Sequence, residues 1–156
     1  MKHLLPSSGL PAPVSADRVR LIRRSMRCFV FGLMGAVPLL GLGMACLALL
    51  LGRQVAQETG EPVRTAGVNG CAAAFFALAA ALLCFDQTSL VLALAILLSA
   101  LQGYLLFREY RRTEPAQWNP ARHLVWWGAG LALAGLNLSS IIILLGLWSW
   151  IRNFGS

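Results

Sequence analysis

The sequence predicts an all-α integral membrane protein, a small helical bundle of four apolar segments with the first broken near its middle. Three observations carry this. Of 156 residues, 58% are hydrophobic and 12% charged, with mean hydropathy +0.69, too little polar surface for a soluble domain of this size. Segments 28–52, 66–85, 87–107 and 124–151 contain no charged residue. Each is close to or above the roughly 20 helical residues that cross a ~30 Å hydrocarbon layer.

Residues 1–16 (MKHLLPSSGLPAPVSA) read as a disordered tail. Three prolines interrupt them, and they lack the continuous apolar core of a cleavable signal. The first apolar run is therefore expected to act as an uncleaved targeting segment. Residues 17–27 (DRVRLIRRSMR) form a basic amphipathic pattern, with Val19, Ile22 and Met26 on one helical face, arginines on the others and Asp17 as N-cap. Such a helix would lie along the headgroup plane. A basic flank without structure of its own is the alternative.

Segment 28–52 carries Pro38, Gly41 and Gly43 at its middle, and these residues are the expected helix break. Gly60 and Pro62 then stop the chain, and Thr65 caps the second apolar segment. Segment 66–85 is largely alanine and ends in Asp86-Gln87-Thr88-Ser89, short enough to make it an antiparallel neighbour of 87–107. The third segment closes in an aromatic and basic patch, Tyr104 to Arg112, and Pro115 breaks the chain. The fourth opens with Trp118-Asn119-Pro120, a staple residue, an N-cap and a first-turn proline. Trp126 and Trp127 lie near one of its ends and Trp148 and Trp150 near the other. That is about 33–36 Å along a helix, the separation of two bilayer interfaces. Segment four spans.

The basic residues discriminate between topologies. The N-terminal region holds six, the first connection two, the second none, the third four and the C-terminus one. Four crossings divide them seven to six. If the first run instead enters and returns on the same side, they divide twelve to one, as the positive-inside rule favours. Three arrangements stay open: a re-entrant first segment, a kinked span, and a dual-topology dimer.

Helices in lipid associate through close backbone approach at small residues. Gly128, Ala132, Gly135, Ser139 and Gly146 provide such a stripe on segment four. Ala66, Gly70, Ala73, Ala77, Ala80 and Cys84 repeat the alternation on segment two. Asn137, at the midpoint of segment four, requires an interhelical hydrogen bond, with Gln102, Ser99 and Asn69 as candidate partners.

No chemistry-bearing motif emerges. Cys28, Cys46, Cys71 and Cys84 form no CxxC pair and read as small packing residues. Asp86, the one acid inside the apolar block, sits in a turn and caps a helix. No HExxH, GxSxG or phosphate-binding loop occurs. No catalytic residue, metal or cofactor is expected, and nucleic acid is not an expected partner. Net charge is +7, from twelve arginines and one lysine against six acidic residues. The arginines flank apolar segments, so Arg20, Arg23, Arg24, Arg27, Arg111 and Arg112 are expected to meet anionic lipid headgroups, at about 1 kcal/mol each. The preference for arginine over lysine points to a GC-rich bacterial genome, and hence to a multi-pass protein of the bacterial inner membrane. The expected role is a non-catalytic interaction or accessory subunit, as a homo-oligomer or with a membrane protein partner. The alternative is an oligomeric transporter or channel component for a small or lipid-like molecule.

Overall fold

The computed structural model of the protein describes residues 16–60, 79, 81–82, 88–114 and 118–154. Among these residues the chain is all-helical, with no strand. The helices are α1 (Ala16–Gly35), α2 (Leu42–Glu58), α3 (Thr88–Arg112) and α4 (Arg122–Phe154). Residues 79, 81 and 82 are also helical. Of the expected tail at 1–16, Ala16 already belongs to α1, and residues 1–15 lie outside the described residues, as do Thr65, Asn69, Asp86 and the small-residue alternation from Ala66 to Ala77, with Ala80 and Cys84.

Helix α1 runs without interruption from the basic stretch into the apolar run, because nothing between Asp17 and Phe31 breaks a helix. Asp17 is not the N-cap. It lies in the first turn, where a carboxylate complements the helix dipole. The apolar face of Val19, Ile22 and Met26 is not the one that packs in the bundle. Val19 and Met26 are 45% and 54% exposed, while Leu21, Ser25, Cys28, Gly32 and Gly35 are buried. Small side chains let neighbouring backbones approach, so the packing face of α1 is its small face.

The helix break falls at Ala36–Gly41, about two residues earlier than Pro38–Gly43. Pro38 offers no N–H and disfavours the helical region for the residue before it, so α1 ends at Gly35. Gly41 is the N-cap of α2, where a Cβ would meet the carbonyl oxygen of Val37 at 2.6 Å. Gly43 lies inside α2 with nothing near its Cβ position and takes no part in the break.

The turn satisfies its own backbone. The N–H groups of Ala36, Val37, Leu40, Gly41 and Leu42 donate to carbonyls within the turn or the end of α1. Leu39, held at φ 65°, donates instead across the bundle to Ser139 Oγ at 2.9 Å. The Ser139 hydroxyl donates in turn to Gly135 O at 2.7 Å.

Contacts along the helices set their directions. Helix α2 returns antiparallel to α1: Ala45 packs on Gly35, Cys28 Sγ donates to Ala48 O at 3.2 Å, and Arg24 pairs with Glu58. Thr59 and Gly60 (φ 70°) terminate α2. Helix α4 runs parallel to α1, with Asn119 donating to Ser25 Oγ, Gly128 against Cys28 and Phe29, and Gly135 against Gly35. Helix α3 is antiparallel to α4, its Val91 and Ala95 packing with Ile141 and Ala79.

The α1–α2 hairpin therefore opens at the N-terminal end of α4. Its tip stops at Ser139, about 25 Å into a helix of 33 residues, roughly 50 Å long. Both arms begin and end at the same end of the bundle. Helices α3 and α4 are long and apolar enough to cross a membrane.

Candidate functional site: a small-residue seam, a basic end and a groove

The seam between α1 and α4 is built where two small-residue faces meet. Gly128, Ala132, Gly135 and Ser139 are all buried. A Cβ on Gly128 would stand 2.9 Å from Phe29 Cα, and one on Gly135 would stand 2.9 Å from Ala36 Cα. Opposite them lie Ser25, Cys28, Gly32 and Gly35. The spacing along α1 from Leu21 to Gly35 (four, three, four, three) matches that along α4 from Gly128 to Ile142. That match was the available signal for a partner face on α1, and composition alone hid it among arginines. Gly146 does not belong to the seam. It is exposed, with nothing within 4 Å of its Cβ position, because the hairpin ends about seven residues before it.

All but one of the described arginines gather in the half of the bundle that contains the open end of the hairpin. Arg20, Arg23, Arg27, Arg111 and Arg112 are exposed there. Arg24 is held in its pair with Glu58, so its position bridges α1 to α2. Arg122 joins the end of α3 to the start of α4. It donates to Tyr110 O at 2.9 Å and Thr113 Oγ1 at 2.7 Å and lies 4.4 Å from the Tyr110 ring centroid. Asn119 Oδ1 accepts from Ala121 N–H at 3.0 Å, the N-cap geometry that leads into α4. Arg152 lies at the opposite end.

Between α3 and α4 a groove of about 420 Å³ runs from the basic end to mid-helix. His123, Tyr110, Trp126 and Trp127 form its mouth, and Leu106, Phe107, Leu131 and Leu133 its walls. The floor is polar. Asn137 Nδ2 donates to Gln102 Oε1 at 2.6 Å and to Ser99 Oγ at 3.2 Å. Two of the three candidate partners of Asn137 are thus brought to it. Gln102 is 3% exposed, and its NH2 group has no acceptor among the described residues. Gly103 and Gly130 also line the groove, and neither has an atom within 4 Å of its Cβ position. Among the described residues no three His, Cys, Asp or Glu side chains are grouped as metal ligands would be.

Comparison with family models, curated proteins and solved structures finds no match. Functional assignment therefore rests on geometry.

Proposed function

We propose that the protein is a multi-pass protein of a bacterial inner membrane in which α3 and α4 span and the α1–α2 hairpin re-enters from the cytoplasmic face. One observation carries this reading: the hairpin opens at the basic end and its tip stops at Ser139, near the midpoint between the two tryptophan pairs of α4. Tryptophans favour the two interfaces, so that midpoint corresponds to the centre of the bilayer. Irregular backbone at that depth costs several kcal/mol per unmade hydrogen bond unless protein covers it, and the Ser139 hydroxyl meets this requirement for Leu39. The outward side chains fit lipid as solvent. Met26, Val30, Leu33, Leu40 (89% exposed), Leu47 and Leu50 face away from the seam on the hairpin, a surface that water would penalise.

Arginines at the basic end contact the anionic headgroups of the inner leaflet. The function this arrangement serves is that of a non-catalytic accessory subunit, presenting a headgroup-anchored basic face and the outer faces of α3 and α4 to a membrane protein partner or a second copy. Two measurements test the reading. The chain should stay in the pellet after carbonate washing, and its release would refute the membrane assignment. It should co-purify with a partner or a second copy from mildly solubilised membranes, and a strictly monomeric, partner-free particle would refute the accessory role. A transporter or channel component remains the second reading, favoured by the polar-floored groove.

A further inference from the structure

The helical glycines differ in what surrounds them. At Gly32, Gly35, Gly128 and Gly135 the absent side chain lets two backbones touch. At Gly103 and Gly130 it leaves empty space in the groove wall. A helical glycine costs about 0.5–1 kcal/mol relative to alanine, and at these two positions no close helix contact compensates for it. Both line the groove, so a larger side chain at either position would take up part of its space.

The floor of that space offers hydrogen bonds that the described residues leave unmade. With Asn137 Nδ2 directed to Gln102 Oε1 and Ser99 Oγ, Asn137 Oδ1 remains an acceptor and Gln102 Nε2 a donor. Exchanging oxygen and nitrogen in both amides leaves the same inventory, one donor side and one acceptor side. A donor or acceptor cut off from water without a partner forfeits about 1–3 kcal/mol, so a molecule that fills the groove and covers the second donor and acceptor of this amide pair is favoured when it supplies the complementary groups. The lining carries no acidic or permanently basic side chain, and His123 stands exposed at the mouth. A charged group brought down to the floor would be desolvated without a counter-charge. The volume lies in the range of small-molecule sites.

We infer that the α3–α4 groove binds a neutral, largely apolar molecule carrying one amide-type donor–acceptor group, whose carbonyl accepts from Gln102 and whose N–H donates to Asn137. A plain acyl chain fills the walls but leaves both floor amides unmade. The inference rests on the membrane placement proposed above and is independent of the accessory role.

The test uses the full chain in dodecylmaltoside micelles. The probe is dibromostearamide, whose bromines quench the tryptophans at the groove mouth, and dibromostearic acid methyl ester is the control that cannot donate. Saturable quenching by the amide is expected, with the ester roughly tenfold weaker or worse, the equivalent of one hydrogen bond. Gln102→Leu should abolish saturation. Gly130→Leu should do the same by filling the groove, while its helix content and melting temperature stay at or above those of the parent. Equal saturation by amide and ester would overturn the donor–acceptor assignment in favour of a simple acyl-chain site. Unsaturable quenching, identical in all three proteins, would overturn the site. Neither result bears on carbonate extraction, so failure of the groove and failure of the membrane placement remain separate.

Discussion

Replacing Gly135 by alanine tests the seam with a single methyl group. The new Cβ would lie 2.8 Å from Gly35 C and 2.9 Å from Ala36 Cα. Both are backbone atoms that no rotamer change can move. Relief requires α1 and α4 to separate, and overpacking of this kind costs about 1–3 kcal/mol. Alanine recovers about 1 kcal/mol of helix propensity, so the net effect is a loss of up to about 2 kcal/mol. The same change at Gly146, where a Cβ meets nothing, should stabilise by up to about 1 kcal/mol. For a chain of this size, 1 kcal/mol corresponds to about 2–4 °C. Thermal unfolding in detergent, followed by size-exclusion chromatography of heated samples, should therefore move the two variants in opposite directions. Equal shifts, or a more stable Gly135→Ala, would refute the close crossing of α1 and α4.

The hydrogen bonds, the left-handed backbone at Leu39 and the ion pair give four further expected outcomes. Ser139→Ala leaves the Leu39 N–H without its acceptor and should cost about 1–3 kcal/mol, and Leu39→Gly, which relieves the left-handed backbone at φ 65°, should stabilise by about 0.5–1 kcal/mol after the entropy of glycine is subtracted. Both are read from the same melting assay. Asn137→Leu should leave membrane insertion intact but weaken α3–α4 packing by about 0.6 to 2 kcal/mol; unchanged melting would contradict that. Glu58→Gln should cost no more than about 1 kcal/mol, since the pair with Arg24 is partly exposed at both ends (26% and 43%), and a loss several times larger would contradict the weak-pair reading.

Much of the architecture is legible in particular residues. Pro38 and Gly41 announce the break because they change backbone chemistry, the one property that a sequence states outright. Asn137 and Gln102 stand out because amides in an apolar run need partners, and α3 and α4 supply them to each other. Depth along a neighbour is another matter. Gly146 continues the small-residue spacing of Gly128 to Ser139, and only the length of the hairpin removes it from the seam. The packing face of α1 is another case: the apolar spacing of Val19, Ile22 and Met26 marks a face left outward, while α1 packs through Ser25, Cys28, Gly32 and Gly35. The groove is not legible in the sequence, because nothing local to Gly103 or Gly130 sets them apart from Gly128 or Gly135, and only the positions of α3 and α4 distinguish a space from a contact.

The position of the chain after α2 tests the account most directly. With the four native cysteines changed to alanine, a single cysteine at Gln57, exposed at the end of α2, can be labelled with a membrane-impermeant maleimide in intact and in opened cells, beside reporters at Ala16 and Ser156. A re-entrant hairpin predicts that position 57 labels with the Ala16 side, only after the cells are opened, while Ser156 labels from outside. Labelling of position 57 on the face opposite Ala16 would mean that the first apolar segment crosses, and the hairpin account would be contradicted.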